Sequence, residues 1–219
     1  MLQIVTATAF TQMTSYITDR LAEAPDALHR AHVEADENGL RAPSIVVGSL
    51  LQTLAGTTGT QGAVAVTPAA GVVGLHLLAG LPEKATLTCI EPDAALQAGA
   101  KDAFKLAGHG ASRTRFLTAR PLDVMGRLAA QAYQLIYLDV APRELQAVLE
   151  LAWPLLSQGG MIVVADSLLD GTLADPSRRD RDTDAARAAD DYVETLAADH
   201  GAVVARLPLD GGLTLITKR

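Results

Sequence analysis

The chain has 219 residues, of which 49% are apolar, 20% charged and only 4% aromatic, with a formal net charge of −7. That length suits one domain with a substantial core, built here from Ala, Val and Leu because aromatics are so few. The acidic balance argues against a general nucleic-acid or anionic-membrane binder, and the single Cys89 excludes an intrachain disulfide and the usual thiolate zinc sites.

No basic segment followed by a long apolar one opens the sequence, and no run of about 18 apolar residues occurs. A cytoplasmic protein is the expectation. The first 60 residues read as helices. "TSYITDRLAEA" has a Thr/Ser cap and apolar residues near helical spacing, "PDALHRAHVEADENG" runs from Pro25-Asp26 to Asn38-Gly39, and "PSIVVGSLLQTLAGTTG" closes on glycine.

From Gly62 the pattern alternates. "GAVAVT", "ATLTCI", "TRFLTARP", "YQLIYLDV" and "MIVVADSLLDG" read as strands. Between them lie the helical stretches "GVVGLHLLAGL", "AALQAGAKDAFKLAGHG", "LDVMGRLAAQ" and "RELQAVLELAWPLLSQGG". A long helix, "TDAARAADDYVETLAADHG", precedes two final strands, "AVVARLP" and "GLTLITKR". Strands alternating with helices predict an α/β fold, a doubly wound, mostly parallel sheet of seven strands. Only "LDGG" separates the last two strands, too short for a parallel crossover, so they should close the sheet as an antiparallel hairpin.

In such a sheet ligands bind outside the carboxyl ends of the strands. The residues to inspect are therefore Thr67–Gly71, Glu91 with Pro92, Ala119-Arg120, Asp139 and Asp166-Ser167. Glu91 lies 20 residues beyond Gly71, the spacing at which a carboxylate can accept hydrogen bonds from ribose hydroxyls. Asp139 and Asp166 should project to the same edge, where they could bind a hard cation with Ser167 or take a proton from a substrate hydroxyl. They could equally cap helices or pair with arginines. The pair His29 and His32 reads as a surface feature, "SRRDRDTDAAR" as a solvated or interface segment, and Cys89 as a small core residue.

Several segments in order carry a resemblance: "GVVGLHLLAGLP", "LTCIEPD", "AFKLAGHGASRTRFLTARPLDVMGRL", "YQLIYLDVAP", "WPLLSQGGMIVVADSLLDGTLADP" and "LPLDGGLTLITKR". From about Thr14 to Lys218 the sequence resembles the class I S-adenosylmethionine-dependent O-methyltransferases of the catechol/caffeoyl-CoA type, and especially their actinobacterial subgroup. The resemblance implies a Rossmann-like methyltransferase domain, with residues 1–60 as a helical cover and 61–219 as the cofactor-binding core. It implies a homodimer and a small hydroxylated substrate, with neither nucleic acid nor membrane as partner.

It also implies site roles. Thr67, Ala69 and Gly71 would line the methionine end of S-adenosylmethionine, Glu91 and Pro92 the ribose, and Ala119 and Arg120 the adenine. Asp139 would serve both cofactor and catalysis, beside a catalytic Asp166. Asp139, Asp166 and Ser167 would fall at the family's positions for Mg²⁺ or another divalent cation. The sequence departs from the family at four points. The usual acid before the loop falls at Ala65, the first two glycines at Thr67 and Ala69, the catalytic lysine at Pro142, and the third metal ligand, usually Asn, at Ser167. These departures keep a second reading open, a methyltransferase fold that has lost catalysis and serves as a binding or regulatory protein. A nicotinamide dehydrogenase is disfavoured by the missing glycine fingerprint and the terminal hairpin.

Overall fold

A computed structural model describes residues 7–20, 25–57 and 59–219. Seven strands form one sheet: β1 Gly62–Val66, β2 Thr86–Ile90, β3 Thr114–Leu117, β4 Tyr133–Leu138, β5 Leu156–Val164, β6 Val203–Leu207 and β7 Leu213–Thr217. Their order is β3-β2-β1-β4-β5-β7-β6. All pairs are parallel except β5 with β7 and β6 with β7. The short connection, five residues from 208 to 212, therefore does close an antiparallel hairpin.

The strands are apolar on both faces because both faces are covered. Ala63, Ala65, Leu87, Cys89, Leu135 and Tyr137 point into one core. Val64, Val66, Ile90, Ile136 and Leu138 point into the other. The first core is covered by helices α2 (Asp26–Glu37), α3 (Ile45–Thr57), α4 (Ala70–Gly80) and α5 (Ala94–Leu106). Here α3 lies so close to α4 that a side chain at Gly80 would meet the Gln52 carbonyl oxygen at 2.0 Å. The second core is covered by α7 (Pro142–Ala152) and α8 (Arg181–His200). Burial pushes the Cys89 thiol up to about 12, so it stays protonated and inert.

Four boundaries differ from the sequence expectation. Helix α1 spans Ala7–Thr18, starting well before Thr14, while residues 21–24 of that expected helix lie outside the described residues. The stretch after Pro121 makes only a short helix, α6 (Pro121–Val124), and a 3-10 turn through Arg127. Helix α7 stops at Ala152, because Pro154 cannot continue it, and Leu156 already pairs with Tyr133 in the sheet. The "SQGG" residues thus belong to an irregular start of β5, where Gly159 has a positive φ of 75°. Finally, β5 ends at Val164, and the chain turns through Asp166 (φ 51°) into a 3-10 segment, Leu169–Ala174. No helix among the described residues is long and apolar enough to cross a membrane.

Candidate active site

The carboxyl ends of β1, β2, β4 and β5 open onto a cavity of about 480 Å³. Of the residues singled out in the sequence, Thr67, Glu91, Pro92, Arg120, Asp139, Asp166 and Ser167 line it. Ala69, Gly71 and Ala119 do not. Gly71 lies in the first turn of α4, and a side chain there would face Ala31 of α2 and Ala100 of α5 at 3.5 and 3.7 Å. Its smallness serves helix packing rather than the cavity wall.

The loop after β1 is held by its own side chain. The Thr67 hydroxyl accepts a hydrogen bond from the Ala69 N–H at 3.1 Å and donates one to Asp139 Oδ2 at 2.8 Å. A threonine in place of a flexible glycine thus ties the loop to the end of β4. Asp139 is raised to about 6, chiefly by burial. The Thr67 hydrogen bond and Arg41 oppose that shift, while the charges of Asp166 and Glu91 add to it. A carboxylate held there is poised to exchange a proton near neutral pH.

Glu91 is only 7% exposed, and burial raises it above the usual carboxylate range. One oxygen accepts the Asp93 N–H at 2.8 Å; the other has no hydrogen-bond partner among the described residues. The buried amide of Gln97 fixes the strand end by donating to the Glu91 carbonyl at 3.0 Å, and its oxygen accepts from Thr118 at 2.7 Å. Gln97 carried no signal in the sequence beyond its place on a helix. Arg120 pairs with Glu144 at the cavity rim.

A second cavity, of about 400 Å³, lies on the other side of Asp139 and Asp166 and shares both residues with the first. Arg41, from the loop between α2 and α3, stands between the two. Its guanidinium meets Asp166 at 3.1 Å and Asp170 at 3.3 Å. The rest of the wall includes Ser44, Tyr137, Asp170 and Asp210. Asp210 Oδ2 accepts the Ser44 N–H at 2.9 Å, joining the hairpin turn to the start of α3. The same turn supports the segment after β5, whose Ser167, Leu168 and Asp170 N–H groups all donate to carbonyls of Gly211 and Gly212. A side chain on Gly211 would strike Asp166 Oδ1 at 1.8 Å. None of Arg41, Tyr137, Asp170 and Asp210 was singled out in the sequence.

The donor set does not fit a divalent cation. The Ser167 hydroxyl does not join the two aspartates as a third ligand, because it accepts from Thr214 at 2.9 Å and donates to the Gly212 carbonyl at 3.3 Å. Arg41 already supplies the positive charge at Asp166. No group of three or more His, Cys, Asp or Glu among the described residues could hold a metal. By contrast, the half-satisfied Glu91 carboxylate beside a nucleoside-sized space fits S-adenosylmethionine.

The sheet order, the terminal hairpin and a cavity at the carboxyl ends of the strands define a class I methyltransferase fold. Comparisons with known proteins agree. A family model described as O-methyltransferase matches residues 28–219. A protein of Mycolicibacterium vanbaalenii named "Putative O-methyltransferase" is 37% identical over 183 residues, 84% of this chain and 80% of that one. A solved structure from Corynebacterium glutamicum is 52% identical, with a TM-score of 0.91, covering 96% of this chain and 97% of that one. TomG of Streptomyces achromogenes, an O-methyltransferase solved with S-adenosylmethionine, shares the fold at a TM-score of 0.83 and 22% identity, over 94% of this chain and 96% of that one. The chain belongs to the S-adenosylmethionine-dependent O-methyltransferases.

Proposed function

We propose that this protein transfers a methyl group from S-adenosylmethionine to a hydroxyl of a small molecule, with Asp139 as general base. The observation that carries the reading is the position of Asp139. It lies on the wall between two cavities, hydrogen-bonded to Thr67 and raised to about 6.

In this reading the first cavity holds the cofactor and the second the acceptor. The free oxygen of Glu91 accepts from the ribose hydroxyls. Pro92 and Arg120 border the nucleoside, and Thr67 fixes the loop beside the amino-acid end. When bound, S-adenosylmethionine supplies a methyl carbon made electrophilic by its sulfonium. An acceptor hydroxyl attacking that carbon would lose its proton to Asp139 and would displace the sulfur, which would keep the pair of the broken carbon–sulfur bond. Asp166, held by Arg41, keeps the wall polar and orients the acceptor. Most of the acceleration then comes from in-line placement and proton removal.

Residues 1–60 and 61–219 act here as cover and core of one domain, and the protein works as a homodimer, for which light scattering should read twice 22.9 kDa. Calorimetric titration with S-adenosylmethionine and S-adenosylhomocysteine, with and without Mg²⁺, tests the cofactor assignment. Micromolar binding independent of Mg²⁺ supports it. No binding of either supports the reading of a fold that has lost catalysis.

A further inference from the structure

The second cavity carries information about the acceptor itself. Four carboxylates, Asp139, Asp166, Asp170 and Asp210, face a single cation, Arg41, among the described residues of its wall. Arg41 is not free to receive an anion, since Asp166 and Asp170 already hold its guanidinium. Asp210 is satisfied only in part, by the Ser44 N–H.

A second observation points to a ligand. Tyr137 lines this cavity and is only 2% exposed. Its hydroxyl makes no hydrogen bond among the described residues, and because the buried side-chain polar atom left without a partner there is His76 Nε2, the Tyr137 oxygen opens onto the cavity, where a ligand can reach it. Burial, and then the charges of Asp139, Asp166 and Asp210, keep the phenol protonated, so it can donate a hydrogen bond to a ligand in the cavity. Asp166, Asp170 and Asp210 of this wall have positive φ, between 49° and 53°, a conformation that aspartate and asparagine tolerate.

We infer that the second cavity binds an acceptor that is both hydroxylated and cationic, a hydroxylated amine whose ammonium group lies between Asp170 and Asp210 while its hydroxyl faces Asp139 and Tyr137. An acceptor ending in a carboxylate or phosphate would bring its charge against four carboxylates with no unpaired cation to meet it. The assignment rests on the methyl-transfer reading for the identity of the cavity, but the charge preference can be measured without turnover.

The test uses three phenols of similar length that differ in the terminal group and its charge: tyramine, tyrosol and 4-hydroxyphenylacetate. Each is titrated calorimetrically into protein saturated with S-adenosylhomocysteine, and again into protein alone. Failure of S-adenosylhomocysteine to bind would count against the methyl-transfer reading, while the ranking in protein alone still decides the charge preference. Tyramine should bind about tenfold tighter than tyrosol, the scale of one charge-assisted contact, and 4-hydroxyphenylacetate weakest. The double variant Asp170→Asn, Asp210→Asn should bring tyramine to the level of tyrosol. Asparagine tolerates the left-handed backbone at both positions, and its amide oxygen can still accept from Ser44, so the fold is retained. Equal affinities, tighter binding of the carboxylate, no binding of tyramine at millimolar concentration, or a preference that survives the double substitution would each overturn the inference.

Discussion

The two cavities that meet at Asp139 are built in opposite ways. The first is made from consecutive strand–loop–helix units. Thr67 satisfies its own loop and Gln97 the end of β2, so, apart from the aspartates it shares with the second cavity, this wall offers chiefly the second oxygen of Glu91. The second is assembled from three distant segments, around Arg41, Asp166 and Asp210, and leaves the Tyr137 hydroxyl open to the cavity with no hydrogen bond among the described residues. A wall nearly complete in itself suits a fixed ligand common to a family. A wall with unmet polar groups suits a ligand particular to one member.

The sharpest way to break this comparison is at the shared residue. Asp139→Asn keeps the shape and can still accept from Thr67, but it cannot take a proton. Turnover should fall by about 10²–10⁴-fold, the usual worth of a general base. In the unaltered protein the rate should rise with pH through about 6 as Asp139 loses its proton, and that limb should vanish in the variant. A rate profile of unchanged shape would remove Asp139 as base. Next in size, Glu91→Gln should weaken S-adenosylmethionine by about tenfold or more, since a hydrogen bond to a charged group is worth ~1.5–3 kcal/mol. Titration checks it, and unchanged affinity would end the ribose assignment.

Smaller effects sharpen the contrast. Thr67→Val removes the hydroxyl that holds Asp139 down. The acidic limb of the rate profile should therefore move to higher pH, lowering turnover several-fold near pH 6 and little above pH 8. Asp139→Asn should also stabilise the ligand-free protein above pH 6. A carboxyl raised by folding contributes stability that is lost as pH rises through its folded value. Removing that charge should lift the melting temperature by roughly 2–4 °C at neutral pH, seen by calorimetry, a gain that shrinks as pH falls below about 6 and is gone only below the ordinary aspartate value of 3.8. The smallest effect should come from a chelator. Because the Ser167 hydroxyl is engaged by Thr214 and Gly212, turnover should be insensitive to EDTA, and a large loss would restore the metal.

The same division explains what could be read in advance. Strands buried on both faces announce themselves as short apolar runs, and a link of a few residues can only be a hairpin. The sheet and the strand-end residues Thr67, Glu91, Asp139 and Asp166 were therefore legible. Gly71 was expected beside the ligand and does not line the cavity; a glycine at the start of a helix looks alike in sequence whether it faces a ligand or another helix. Here it faces Ala31 and Ala100. The start of β5 was hidden by an apolar periodicity that runs on from α7 past Ala152. Arg41 and Asp210 had no local signal at all. Each sits in an ordinary loop, and only the folded chain gives them a shared purpose.

The bond between Ser44 and Asp210 spans 166 positions of the chain. Contacts of such separation are costly to close and so tend to form late in folding. A partly folded chain could present the ends of β1 and β2 before the hairpin docks, but it would have no acceptor cavity. If the second cavity holds the acceptor as proposed, an acceptor recognises only the finished molecule, and its binding energy adds to the stability of the native state. Resistance to proteolysis, measured with and without acceptor, would then report site occupancy in an unfractionated extract, before any product is detected.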